Sequence, residues 1–463
     1  MSNEDILLKE QKSRFQKLSL GSSTEKAFCT LILINFIFVY FRPQNDLRVL
    51  ESIKLPFVIG LLPAFAALTR ISTSWSKQLK MMGILILQGA IQVPFATNGF
   101  WALQGVRALF QVGYGLTLPV AFYFSNGRAL KRLFKYMFVS GAYIAFYCLL
   151  HEGHGPGDFL GDENDACLVL VIFVAPAIFF FLSKHSGVNR LLVGGTIGMM
   201  LAGVVAASSR GGFLGLLCVG SYIFYRSRQK AAMILLAMVI GLAGLFFVPK
   251  AYWEDIGTIS TQDATAQERL TYWGVSWKMF IDPPNFIWGV GMMNFPWRSG
   301  EYEASQNKGP DGKSMSGRKV HSLYFEALPE LGLLGCSLLI IALVASLKPS
   351  IKMSKQIRKE VRRLSLGGSE IDKDKAKLIK GVIKEGEFAQ LALVATNSCF
   401  IGMLSGGAFI SVLYYPTLWF LLGLSSAVQT YSKKWLALSV TLKDLGEDQF
   451  DKRKANLELQ KLL

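Results

Sequence analysis

Residues 269–335 read RLTYWGVSWKMFIDPPNFIWGVGMMNFPWRSGEYEASQNKGPDGKSMSGRKVHSLYFEALPELGLLG. The stretch opens on Arg269-Leu270-Thr271-Tyr272-Trp273 and crosses a polar segment with almost no aliphatic run. It closes on His321-Ser322 and, nine residues later, Gly332-Leu333-Leu334-Gly335. Nearly everything around it is apolar. A long polar insert between bilayer-length apolar runs is where water-facing chemistry can be held at a membrane surface. The rest of the chain therefore reads as a scaffold for this insert.

Composition supports that division. Hydrophobic residues make up 51% of the chain, with 33 Phe, more than an ordinary soluble chain carries. The net charge of +17 is clustered between apolar runs, which points to membrane orientation and not to nucleic acid. No nucleic-acid module is visible. Residues 1–26 are polar, so no cleavable leader is expected. The cysteines fall in or beside apolar runs without a CxxC pair, as small buried thiols do.

The fold class expected is an all-α polytopic membrane protein with about twelve spans of roughly 20 residues. They are centred on 27–41, 55–69, 79–96, 100–124, 133–150, 166–183, 188–208, 211–225, 231–248, 322–347, 388–407 and 410–429. The last two are alternatively one hairpin broken around Ser405-Gly406-Gly407. Alternate loops are rich in Lys and Arg, among them Arg128, Lys131, Arg132 and Lys135, whereas 97–99 and 151–165 have none. Positive loops stay inside, so both termini are expected in the cytoplasm and the insert outside. The division expected is 1–248, an N-terminal membrane region; 249–321, a periplasmic loop; 322–429, a C-terminal membrane region with the basic cytoplasmic loop 348–387; and 430–463, a charged cytoplasmic tail. Within the insert, Gln267–Ile281 reads as an amphipathic helix ended by Pro283-Pro284, Gly289-Val290-Gly291 as a tight turn, and 299–320 as a mobile loop. Its five tryptophans (253, 273, 277, 288, 297) suit a surface lying on the interface.

Few residues offer chemistry. Arg210, in Ser208-Ser209-Arg210-Gly211-Gly212, is a lone outside cation at the head of a span. It is either a snorkelling arginine or an anion clamp assisted by Ser209 and the helix N-terminus, and the residues alone leave both readings open. Arg269 starts the amphipathic helix. Arg107 lies about 10 Å inside its span, a depth at which an arginine marks either a site or an internal salt bridge. His321 has an ordinary pKa of about 6.5, which suits a general base, although a lone His is more often a structural hydrogen-bonder. His151-Glu152-Gly153-His154 with Asp158 invites a zinc reading, but the spacing is not H-E-x-x-H and the glycines disfavour a rigid helix. The acidic residues Asp162, Glu163 and Asp165 read as a solvated loop before a sugar or cation site.

In combination these residues resemble the O-antigen ligase and polymerase family. Arg210-Gly211-Gly212-Phe213-Leu214 is similar to its R-x3-L signature; Arg269-x3-Trp273 with Asp282-Pro283 and Gly289-x-Gly291 to its insert pattern; and His321-Ser322-x9-Gly332-x2-Gly335 to its H-[NSQ]-x9-G-x-x-G motif. The first half of the chain matches in topology alone. The resemblance implies a GT-C-like glycosyltransferase of the bacterial inner membrane that needs no metal or cofactor. Its donor would be a glycan on undecaprenyl diphosphate, and its acceptor a hydroxyl of lipid A-core or of another lipid-linked glycan, at the periplasmic face. It further implies that Arg210 and Arg269 contact the diphosphate and His321 acts beside the acceptor, with Arg107, Ser209, Ser322 and Trp273 as further substrate contacts. The alternative from another class is a polytopic exporter with Arg107 and Arg210 along its path. Against it, no inverted repeat is visible.

Overall fold

The computed structural model describes residues 3–442 except 48, 51–54, 69–74, 183–188, 227–229, 232–233, 235–237, 239–263, 304–313 and 367–372. Among the described residues the secondary structure is helical, with no strand. The main helices are α1 (Asn3–Leu20), α2 (Ser23–Tyr40), α3 (Leu55–Leu68), α4 (Lys77–Gln92), α5 (Gly99–Val112), α6 (Gly127–Leu150), α7 (Glu163–Leu182), α8 (Arg190–Ala206), α9 (Arg210–Arg226), α10 (Ala264–Ile281), α11 (Leu323–Leu366), α12 (Lys373–Gly406) and α13 (Pro416–Thr441). Polar residues set where they begin. Ser22 and Glu25 close a capping box on α2, and Asn126 Oδ1 accepts from Ala129 N at 2.9 Å to start α6.

Among these residues five stretches are long and apolar enough to cross a bilayer: Ile6–Tyr40, Gly127–Leu150, Glu163–Phe181, Leu323–Ser365 and Asp374–Phe409. Each other expected span falls on a shorter or more polar helix, such as α3 with 14 residues, except 231–248, which lies largely outside the described residues. The basic segment 348–387 is not a separate helix where it is described. It continues α11 and α12, and the 34 residues of α11 that follow Gly332 alone reach about 51 Å at 1.5 Å per residue, well beyond a bilayer core of about 30 Å. Helices α7, α12 and α13 form the centre. Ala166–Ala175 is buried without interruption, and so is Thr417–Gln429, as befits helices apolar on every face.

The insert is more folded than its composition suggested. Along α10, Tyr272, Val275 and Met279 turn one face onto Val290, Phe295, Met315 and Val320, a small core of its own. The expected amphipathic helix is therefore present. Of the expected mobile loop 299–320, both ends are held: Ser299 Oγ donates to Met315 O at 2.9 Å, and Gly317 N to Pro296 O at 2.8 Å. Trp277, Trp288 and Trp297 are exposed, with Phe95, Phe100 and Trp101 nearby in the fold or sequence, whereas Trp253 lies outside the described residues.

The insert meets the membrane helices at a break in α11. Gly332 sits at φ 63°, ψ −173°, three residues after Pro329. The interruption frees backbone carbonyls, and the insert satisfies them. Val290 N donates to Pro329 O at 2.8 Å, Gly291 N to Glu330 O at 3.3 Å, and Gln88 Nε2 from α4 to Leu331 O at 2.8 Å. Glu330, 1% exposed, receives Met293 N at 2.8 Å, Phe295 N at 3.0 Å and the Tyr414 hydroxyl. Glu326 receives Leu413 N at 3.0 Å. Two carboxylates on one helix thus staple the insert and the 410–415 loop to the same face.

Candidate functional site

His321 stands in the last residues of the insert before α11. Its backbone is left-handed, φ 52°, a conformation a non-glycine residue holds only when its neighbours impose it. The constraint comes from the 410–415 loop: His321 N donates to Ser411 Oγ at 3.0 Å. Ser322, buried, then caps α11, its Oγ accepting from Phe325 N at 3.5 Å. The imidazole edge is exposed, with the Tyr272 ring at 6.4 Å.

It opens on a small recess lined by Asp162, Asn164, Asp165, Arg269, Lys319, His321, Phe409, Ile410, Ser411 and Tyr415. Four segments of chain contribute: the start of α7, α10, the end of the insert and the 407–415 segment between α12 and α13. Arg269 projects from the first turns of α10, its guanidinium 6.0 Å from the Phe409 ring centroid. Desolvation by the surrounding protein, then the charges of Arg269 and Lys319, lower the His321 pKa below 6.5; Asp162 and Glu268 oppose this more weakly. The imidazole is accordingly neutral at pH 7 and can accept a proton.

Arg210 does not line this recess but is built against it. Ser209 Oγ accepts from Gly212 N at 3.1 Å, capping α9, and donates to Asn164 Oδ1 at 2.8 Å. A Cβ on Gly211 would lie 3.0 Å from Phe409 Cβ. The arginine therefore begins a helix whose first turn abuts two lining residues. Trp273 stacks on Phe325 at 5.0 Å and 11° and lies 6.3 Å from Phe409, so it backs the recess wall. Arg107 is exposed on α5, 3.4 Å from Gln104 Oε1, and is not among the lining residues.

Sequence reasoning set aside or overlooked three lining groups. Lys319 carried no motif. Asp162 and Asp165 were assigned to a solvated loop, yet Tyr415 OH donates to Asp165 Oδ2 at 2.9 Å and draws the loop inward. The zinc-like histidines are engaged elsewhere: His151 stacks on Tyr147 at 3.9 Å, and His154 Nε2 lies 3.5 Å from Glu163. Asp158 pairs with Arg42. Among the described residues no group of His, Cys, Asp and Glu is placed to hold a metal ion.

The arrangement combines fixed cations, a neutral base and carboxylates around one opening. That is suited to stabilising an anionic leaving group while a hydroxyl is deprotonated. Residues 195–340 match the family described as O-antigen ligase, a range that takes in Arg210, Arg269, His321 and the Gly332 break. No curated protein matches the chain.

Proposed function

Because the chain carries an O-antigen ligase domain over residues 195–340, we propose that it transfers a glycan from undecaprenyl diphosphate to an acceptor hydroxyl at the periplasmic face of the bacterial inner membrane. The observation that carries this reading is that Arg269, Lys319 and His321 share one recess where the insert joins α11. In the reaction the acceptor oxygen bonds to the anomeric carbon and the bond from that carbon to the phosphate oxygen breaks. The electron pair leaves with the diphosphate, and the acceptor proton passes to the His321 imidazole. Guanidinium groups at Arg269 and Arg210 hold the developing negative charge, a role that elsewhere falls to a metal ion. Phe409 and the buried wall behind it keep that charge away from bulk water, which strengthens each contact.

Removing either clamp should be costly. Arg269→Ala and Arg210→Ala are each expected to slow transfer by about 10²–10³-fold, the range for losing one donor to a developing oxyanion. Arg269→Lys should recover only part, since an ammonium lacks the bidentate fork. Turnover by purified protein with a lipid-linked glycan is the measurement, and wild-type rates in either alanine variant would remove the clamp.

The proposed topology has twelve spans, the insert outside and both termini inside. Cysteines placed at the exposed positions Ser316 and Ser365 should label from opposite sides of the membrane, Ser316 from the periplasm. Periplasmic labelling at both would overturn it. The acceptor class is read from the glycans of a deletion strain. Unattached full-length polymer identifies a ligase to lipid A-core, and single repeat units on the core identify a polymerase.

A further inference from the structure

We propose that Asp165 binds a sugar hydroxyl of the transferred or receiving glycan within the recess; this rests on the reading of the recess as a glycan-transfer site. Asp165 is 7% exposed and lines the opening. Tyr415 OH occupies its Oδ2 at 2.9 Å, while Oδ1 is buried and has no hydrogen-bond partner among the described residues. Its neighbours are satisfied. Asp162 Oδ1 takes Asn164 N at 2.9 Å and Asn164 Nδ2 at 3.1 Å, and Asn164 Oδ1 takes Ser209 Oγ at 2.8 Å. A buried carboxylate oxygen without a donor is costly, so a partner from outside the chain is the missing element.

The surroundings say what that partner is. It must bring a hydrogen to donate, as a hydroxyl, an amine or a metal-bound water does. Arg269 and Lys319 line the same opening and repel a cation from it. No third carboxylate, histidine or cysteine is placed to complete a metal site among the described residues. A neutral hydroxyl remains. Phe409 and Tyr415 add aromatic carbon to the lining, against which the C–H side of a pyranose can pack.

The test is direct binding to the purified full-length protein in lipid nanodiscs, apart from turnover. Three probes are titrated: bare undecaprenyl diphosphate, undecaprenyl diphosphate carrying a single hexose, and a free hexose disaccharide standing for the acceptor. Asp165→Asn keeps the shape and can keep the Tyr415 bond. It is expected to weaken one sugar-bearing probe by about 10- to 100-fold, the worth of a charge-assisted hydrogen bond, with bare undecaprenyl diphosphate unchanged. Loss on the lipid-linked hexose assigns the hydroxyl to the donor, and loss on the disaccharide to the acceptor. Tyr415→Phe should leave the sugar affinities near wild type. If Asp165→Asn moves neither sugar probe, or if Tyr415→Phe reproduces its losses together with a lower melting temperature, Asp165 only anchors Tyr415 and the proposal fails. Failure of the wild type to bind bare undecaprenyl diphosphate would sink the proposed donor instead, while the disaccharide arm still decides Asp165.

Discussion

His321→Gln is expected to slow glycan transfer by about 10²–10⁴-fold, the usual cost of removing a general base. Membrane abundance and donor binding should stay at wild-type levels, because the fold uses the His321 backbone N–H, not its ring, to bind Ser411. Glutamine keeps that N–H and the polar bulk but cannot take a proton. If His321→Gln retained most of the rate, the imidazole would be a positioning group. If abundance fell in step with activity, the residue would be structural. The pH profile gives a second reading. The active form is the neutral imidazole, so the rate is high above its pKa and falls as pH drops through it. Burial, Arg269 and Lys319 lower that pKa, so the acid limb should lie below 6.5. Replacing Lys319 by Met removes one of those cations, and the limb should move to higher pH. A limb that stays in place would break the link between His321 and the observed rate.

Gly332→Ala should be severely damaging, destabilising the protein by about 3–5 kcal/mol. Its φ of 63° with ψ near 180° is essentially restricted to glycine. A Cβ there would meet Gly289 N and Ile287 O, each at 2.5 Å, and Gly289 in turn would place a Cβ 2.4 Å from Glu330 O. Both obstacles are backbone, so neither can move aside without pulling the insert from α11. Gly335→Ala is the control. Its Cβ would meet the Leu331 Cβ at 2.7 Å and Gln88 Oε1 at 2.9 Å, side-chain atoms with more freedom to shift. The expected cost there is about 1–3 kcal/mol, that of overpacking. Thermal unfolding in detergent and membrane abundance are the readouts. A Gly332→Ala protein as stable as wild type would show that the joint does not depend on this contact.

These two residues also show where local reading stopped. Gly289-x-Gly291 was legible as a turn, and Gly332-x2-Gly335 as the end of a motif, each from its own neighbourhood. That the two are a single joint, with the turn's N–H groups filling the carbonyls of the broken helix, has no local signature. The acidic loop is the sharper example. Asp162 and Asp165 look solvated because charge in a Gly-rich segment normally is. The hydroxyl of Tyr415, 250 positions away, donates to Asp165 at the recess.

What the sequence determined by itself follows from short-range physics. Apolar runs of bilayer length point to a membrane protein, five of whose described helices are long and apolar enough to cross, and the 3.6-residue period of Tyr272, Val275 and Met279 identifies α10. Lys and Arg between the runs suggest an orientation, and three spaced motifs indicate the family. The tertiary structure alone decided which of these parts share an opening. It joined Arg269 and His321 to Lys319 and to the acidic start of α7, set Arg210 behind Ser209 against the wall, and left Arg107 exposed on α5. The reason is that hydropathy and helical period depend on neighbours within a turn or two. A site assembled from four separated segments depends on long-range packing, for which a single chain read along its length carries no signal.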